Sequence, residues 1–429
     1  MHEDLGIDLN DPTNSAALLI GVFGSEGADI CQEHLDELEE LARTFGVPSI
    51  GRITAHVRRI DPATYVGSGK VQEIAEQIAE KRPTLVIFDE EISPAQQRNL
   101  EKELKVAVMD RTELILEIFA QRAHTREAKL QIELAKTRYA FPRLKRLWSH
   151  FSRQRASGGF LKGEGEKQLE IDRRLLKHQL DKLERELKEV QKHREVQKQQ
   201  RKRSNIPTFA IVGYTNAGKS TLLNALTQSD VLVEDKLFAT LDPTTRKFLL
   251  PNNQEVLLTD TVGFIRKLPH TVVAAFRSTL EAALHDDILL HVIDASHPAA
   301  MDHFETTRKL LDELGANKNV VTVLNKMDKC SNIAKIKFTV GRHIEISALK
   351  KEGFDELGAI MMQELAKLRR TIKVKIPQSD YQLVTLLHRE GNVHLEEYED
   401  NDVVMLVDIP VHLMHKFEPF FLKSTPSSH

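Results

Sequence analysis

The stretch Phe209-Ala210-Ile211-Val212-Gly213-Tyr214-Thr215-Asn216-Ala217-Gly218-Lys219-Ser220-Thr221-Leu222-Leu223-Asn224-Ala225-Leu226 decides the fold. An apolar run, a loop of the form G-x-x-x-x-G-K-[ST] and a helix-like run follow one another, which is the context a phosphate-binding P-loop requires. Glycines let backbone N–H groups wrap closely around phosphate oxygens. The helix N-terminus adds partial positive charge, Lys219 reaches the β and γ oxygens, and Ser220 can ligate Mg²⁺. The stretch therefore points to a nucleoside triphosphate bound at the carboxyl ends of strands in a doubly wound, mostly parallel α/β sheet.

Working outward, Val256-Leu257-Leu258-Thr259 reads as a strand and runs into Asp260-Thr261-Val262-Gly263. In this D-x-x-G arrangement Asp260 holds the metal through water and the Gly263 amide meets the γ-phosphate. A third apolar strand, Val320 to Leu324, ends in Asn325-Lys326-Met327-Asp328. There a carboxylate can accept both guanine N1–H and the exocyclic amine; adenine lacks that donor pair, so Asp328 argues for GTP. Glu345-Ile346-Ser347-Ala348-Leu349 fits a loop whose Ser347 and Ala348 backbone steadies the base. Between the first two elements, Leu237-Phe238-Ala239-Thr240-Leu241-Asp242-Pro243-Thr244-Thr245 stands where a mobile loop closes over Mg²⁺ and the γ-phosphate. Thr240 is the chosen metal-bound hydroxyl, with Thr244 and Thr245 as rivals. The expected metal set is Ser220, Thr240 and Asp260, and the expected catalytic set is Lys219, Thr240 and Gly263. Phe264 follows the D-x-x-G glycine, where Ras-type enzymes carry the glutamine that orients the attacking water. Phenylalanine cannot do this, so water positioning is expected from elsewhere in the chain or from a partner.

The chain has 429 residues, too many for the nucleotide domain alone, which accounts for 205–370. Short apolar runs alternate with amphipathic stretches over 1–111, the βαβ pattern of a separate α/β domain. Gly67-Ser68-Gly69-Lys70 within it resembles a phosphate loop but lacks the first glycine and a preceding buried strand, so it reads as a helix-entry turn. Residues 371–429 read as a small α+β domain, ferredoxin-like in outline, with His388, His394, His412 and His415 too scattered to suggest metal ligands. Cys31 and Cys330 are the only cysteines, which excludes a disulfide scaffold or zinc module. The longest apolar stretches fall far short of the ~20 residues that span a bilayer. The acidic start Met1-His2-Glu3-Asp4 lacks the basic region of a targeting peptide, so a soluble cytoplasmic protein is the expectation, with a monomer as the expected oligomeric state.

Residues 112–204 change to long helices. Leu130, Leu134, Thr137, Phe141, Leu144 and Trp148 recur at alternating four and three, as do Leu176, Leu180, Leu183, Leu187 and Val190. This predicts an antiparallel helical hairpin with a glycine-rich linker over 149–165. Arg122 to Arg203 carries 24 Lys/Arg against 11 Asp/Glu, a net of +13; with −3 for the whole chain the remainder carries −16. From Leu134 to Gly163 the charged residues are all basic: Lys136, Arg138, Arg143, Lys145, Arg146, Arg153, Arg155 and Lys162. Tyr139, Phe141, Trp148 and Phe151 are interleaved with them. Cations for phosphates and rings for unpaired bases suit structured RNA, whereas a solvated coiled-coil face normally mixes both signs.

The motifs quoted above, together with Gly263-Phe264-Ile265 and Gly163-Glu164-Gly165-Glu166-Lys167-Gln168-Leu169-Glu170-Ile171-Asp172-Arg173-Arg174, resemble the HflX family of translation-associated GTPases over nearly the whole length. The resemblance implies a GTP hydrolase that binds the large ribosomal subunit and its RNA through the hairpin and N-terminal domain, and that separates stalled or idle ribosomes under stress. The alternative is a GTP-dependent RNA- or ribosome-binding scaffold with little productive hydrolysis. One departure stands out: the family usually has Arg-Gly-Pro-Gly-Glu where this chain has Lys162-Gly163-Glu164-Gly165-Glu166. Loss of the proline loosens the tip, and Glu164 adds negative charge there.

Overall fold

A computed structural model describes residues 15–422 apart from 26, 155–163, 204–205, 228–236, 269–286, 317–318 and 331–342. Its first unit alternates β1 (Ala17–Phe23), α1 (Ala28–Phe45), β2 (Ser49–His56), α2 (Ser68–Lys81), β3 (Leu85–Phe88), α3 (Pro94–Leu104), β4 (Ala107–Asp110) and α4 (Arg111–Arg122). The strands form one parallel sheet in the order β2-β1-β3-β4. Local chemistry sets the helix ends. Ser93 and Gln96 form a reciprocal capping box ahead of Pro94, Asp110 caps α4 through Glu113 N, and Gly46 at φ 100° closes α1. Gly67 caps α2, so Gly67-Ser68-Gly69-Lys70 is a helix entry.

The hairpin follows as α5 (Arg126–Gln154) and α6 (Glu164–Arg203), zipped by Leu130, Leu134, Leu183 and Leu187 with Leu180 and Val190 beside them. The loop is shorter than the expected 149–165, because α5 runs through Ser149 to Gln154 and α6 begins at Glu164. Ser149 to Gln154 contains neither glycine nor proline to stop a helix. Arg155, Ser157 to Gly159, Lys162 and Gly163 lie outside the described residues.

The structure corrects the reading of the near part of this basic arm. Arg143 is buried at 6% exposure, donating to Gln97, Asp110, Tyr139 O and Ile92 O, with its guanidinium 3.4 Å above the Tyr139 ring. Lys136 pairs with Glu117, and Arg138 with Glu184. Acids distant in sequence thus engage cations that the local pattern left unopposed. Tyr139 is itself core, not a free stacking platform.

The nucleotide domain contains β5 (Thr208–Gly213), α7 (Lys219–Thr227), β6 (Thr244–Leu249), β7 (Glu255–Asp260), β8 (Ile288–Asp294), α8 (Ala300–Glu313), β9 (Val320–Asn325), β10 (His343–Glu345) and α9 (Phe354–Lys367). Its sheet order is β10-β9-β8-β5-β7-β6, parallel except for the β6–β7 pair. Strands β6 and β8 were not anticipated. The first is an edge strand with no buried residue and two cations, a weak pattern; the second buries His291 inside an apolar run.

The last unit is β11 (Arg369–Pro377), α10 (Tyr381–Glu390), β12 (Asn392–Glu399), β13 (Asp402–Pro410) and α11 (Met414–Phe417). Its three antiparallel strands, in the order β11-β13-β12, pack on Val384, Leu387 and Phe417. This is a small α+β unit; a ferredoxin-like sheet would need a fourth strand, which is absent among the described residues. No helix among those residues is long and apolar enough to cross a membrane.

The first and third units share a core. Phe45, Leu116 and Phe119 belong to the same buried cluster as Leu237, Phe238, Leu241, Phe264 and Ile265, and the Phe119 and Phe238 rings meet edge to face at 4.6 Å.

Candidate nucleotide site

Gly213 ends β5 and Lys219 begins α7, so the P-loop spans a strand-to-helix turn beneath a cleft. Gly218 sits at φ 91°, and a Cβ there would stand 2.3 Å from Asn325 Nδ2, so glycine is required twice over. Asn325 Nδ2 donates to Ala217 O at 2.9 Å while its Oδ1 accepts from Ala348 N at 2.9 Å. One amide therefore staples the phosphate loop to the base loop. Lys219 Nζ donates to Tyr214 O at 2.8 Å; burial pushes the ammonium down to about 8, against the opposing pull of Asp260.

Three oxygens meet at the head of α7. Ser220 Oγ lies 2.6 Å from Asp260 Oδ2 and 2.7 Å from Thr240 Oγ1, and Thr240 Oγ1 lies 2.9 Å from the same carboxylate oxygen. Asp260 is fully buried, its other oxygen has no side-chain or backbone hydrogen-bond partner among the described residues, and burial pushes its carboxyl upward against Lys219, Ser220 and Thr240. Thr244 and Thr245 lie instead in β6, opposite Asp260 and Thr259 in the ladder. The all-oxygen set and the orphaned carboxylate oxygen fit a hard divalent cation such as Mg²⁺. No group of three or more His, Cys, Asp or Glu side chains among the described residues offers a different metal site.

At the other end of the cleft Asp328 Oδ1 accepts from Ser347 Oγ at 2.7 Å, and that hydroxyl accepts in turn from Lys350 N at 3.2 Å. The Ser347 hydrogen bond holds the Asp328 carboxyl below its usual range. Lys326, in the left-handed region at φ 63°, pairs with Asp294 at 2.8 Å.

The cleft is lined by Thr215, Asn216, Gly218, Lys219, Ser220, Thr221, Phe238, Ala239, Thr240, Thr261, Gly263, Asn325, Lys326, Asp328, Ala348 and Leu349, joined by Lys329, which sequence reading missed. Asp260 and Ser347 lie behind that lining, each touching it through a hydroxyl. Gly213 and Ala217 contribute backbone, and Met327 N donates to Ile346 O. The remaining expected residues face the N-terminal unit. Leu241 and Val262 are buried in the shared core. Asp242 accepts from His124 N, Thr125 N and the Thr125 hydroxyl, tying the mobile-loop segment to the start of the hairpin. Tyr214 donates to Glu37, accepts from Arg266 N at 2.8 Å and stacks on His303 with ring centroids 3.7 Å apart.

Tyr214 thus enters an ion cluster that the sequence did not reveal. Arg111 pairs with Glu37 and with Asp89 at 2.9 Å; Arg266 reaches Glu37 at 3.1 Å and Asp89 at 3.0 Å; Lys267 reaches Asp89 at 3.2 Å and also Glu90. Burial pushes the Glu37 and Asp89 carboxyls upward, but the adjacent Arg111 and Arg266 guanidiniums prevail and hold both below the usual range. The segment after D-x-x-G is therefore gripped by α1 and the end of β3.

Comparison with known proteins divides the chain in the same order. Residues 32–120 match the family described as GTP-binding GTPase N-terminal, 122–201 the GTP-binding GTPase middle region, and 208–326 the 50S ribosome-binding GTPase. The chain is 48% identical to GTPase HflX of Chlamydia pneumoniae over 427 residues, covering 97% of this chain and 90% of that protein. It is 38% identical to GTPase HflX of Escherichia coli over 401 residues, covering 92% and 93%. Among solved structures, a GTP-binding protein from Sulfolobus solfataricus in complex with GDP is 25% identical, covering 82% of this chain and 99% of that one, with a TM-score of 0.44.

Proposed function

This chain belongs to the HflX family of GTPases, and from that premise we propose that its hydrolysis of GTP serves the ribosome: it binds the large subunit and promotes the separation of stalled or idle ribosomes. The observation that carries the catalytic part is the meeting of Ser220, Thr240 and Asp260 below a cleft whose opposite end holds Asp328. Ser220 and Thr240 would hold Mg²⁺ directly and Asp260 through water. When bound, the ion neutralises charge on the phosphates. Lys219 would meet the β and γ oxygens, and the Gly263 amide the γ-phosphate. Asp328 selects guanine by accepting from N1–H and the exocyclic amine, while Ser347 fixes the carboxylate.

The ribosomal part is supported by family membership, by the 50S ribosome-binding description matched over 208–326, and by the excess of basic charge on the hairpin. We place the protein in the cytoplasm, as a monomer. The deciding experiment measures single-turnover GTP hydrolysis with and without large subunits, then follows intact ribosomes on density gradients after adding the protein with GTP. Stimulated turnover and GTP-dependent separation are expected. Unstimulated turnover with intact ribosomes would reduce the reading to a GTPase with another partner.

A further inference from the structure

Thr240 is the member of the metal set that comes from a loop, since Ser220 lies in the first turn of α7 and Asp260 ends β7. Conformational entropy opposes holding a loop residue in one place, so its position needs a cause outside the loop. The neighbours of Thr240 supply one. Leu237 N donates to Thr44 Oγ1 of α1 at 3.3 Å. Phe238, a bulky residue in the left-handed region at φ 54°, sets its ring edge to face on Phe119 of α4, and Leu241 is buried in the same core.

Asp242 makes the polar contact that completes this docking. Its Oδ2 accepts from His124 N at 3.1 Å and from Thr125 N at 3.0 Å, and its Oδ1 accepts from the Thr125 hydroxyl. That hydroxyl in turn accepts from Ala128 N at 3.2 Å. N–H groups at a helix start have no partner within the helix and favour negative charge. Asp242 therefore completes the N-terminus of α5 from a position 117 residues away from Thr125. Two residues of chain span at most about 7 Å, so a displacement of Asp242 is felt at Thr240.

We propose that Asp242 is a positioning residue for the metal site: by capping α5 it holds Thr240 beside Ser220 and Asp260, and the start of the hairpin thereby helps to complete that site from outside the nucleotide domain. Asp242 does not belong to the cleft lining and acts through Thr240. Linkage makes the effect reciprocal, so loosening either side of the contact loosens the other.

The inference rests on the reading of Ser220, Thr240 and Asp260 as the metal set, whose own failure would appear in the parent chain as hydrolysis indifferent to Mg²⁺. The test uses the full chain carrying Asp242→Ala, Thr125→Val or both, with Thr125→Ser keeping the hydroxyl. In protein free of nucleotide and Mg²⁺, Thr125→Val should speed amide hydrogen exchange across 237–242 about 5- to 10-fold, and Asp242→Ala should do the same across 124–128. In single-turnover hydrolysis each should raise the half-saturating Mg²⁺ concentration about 5- to 10-fold, with turnover returning to within about threefold of the parent at saturating Mg²⁺ and GDP affinity held within about threefold. The double variant should resemble either single one, because both remove the same contact, and Thr125→Ser should stay within about twofold of the parent. Unchanged exchange across 237–242 in Thr125→Val, or a parental Mg²⁺ requirement in Asp242→Ala, would overturn the proposal. So would additive losses in the double variant, which would make the two residues independent, an equal loss in Thr125→Ser, which would assign the effect to packing, or a parallel loss of GDP affinity, which would assign it to damage of the nucleotide domain.

Discussion

Arg143 offers the sharpest division between a cation that builds the fold and one that meets RNA. Its guanidinium is 6% exposed, 3.1 Å from Asp110 Oδ2 and hydrogen-bonded to Gln97, Ile92 O and Tyr139 O. Arg143→Met keeps much of the apolar stem and removes the charge. Breaking a buried pair from one side costs about 3–5 kcal/mol, because the remaining charge is stranded. Asp110 can escape part of that penalty by taking a proton. Burial, with Glu113 adding, already pushes its carboxyl up to about 7, and loss of Arg143 pushes it further. A carboxyl raised above its unfolded value of 3.8 keeps protons that the unfolded chain has released, so stability falls as pH rises through that window. In the variant the window extends above pH 7. The expected cost is about 3 kcal/mol at pH 6 and more at pH 8. Urea unfolding of the N-terminal unit at the two pH values reads this directly, and co-sedimentation with large subunits across a salt series supplies the control. An unchanged unfolding curve, combined with a salt slope reduced by about one, would refute the assignment and return Arg143 to the RNA-facing set.

Asp328→Asn should weaken GTP binding about 10- to 100-fold while leaving the phosphate loop intact, as read by competition titration against GDP and ATP. Lys219→Ala and Ser220→Ala should abolish hydrolysis in single-turnover assays at saturating GTP and Mg²⁺; unchanged rates in either would remove the P-loop from the mechanism. Phe264→Ala should destabilise the shared core by about 3–5 kcal/mol in denaturant unfolding, without the pH–rate change expected from loss of a proton acceptor. Neutralising Lys145, Arg146, Arg153 and Arg155 together should weaken large-subunit binding and flatten its salt dependence, with GTP affinity of the free protein unchanged.

The nucleotide cleft was readable in one dimension because its chemistry is local. Gly218-Lys219-Ser220, Asp260 to Gly263 and Asn325 to Asp328 each sit at the end of a buried strand, and parallel pairing of β5, β7, β8 and β9 brings those ends to one edge. Heptad spacing likewise named Leu130, Leu134, Leu183 and Leu187 as the hairpin seam, since side-chain direction on a helix follows from periodicity alone. Charge and aromatic content do not carry direction in the same way. Arg143 and Tyr139 counted as RNA-facing until the N-terminal unit supplied Gln97 and Asp110, residues 46 and 33 positions away. Tyr214 and Asp242 lie within nucleotide motifs, yet they turn to Glu37 and Thr125, at sequence separations of 177 and 117. Partners so distant in the chain leave no spacing to recognise. Packing alone chose them, and with them it joined the segments around Thr240 and Gly263 to the N-terminal unit through one core and one ion cluster.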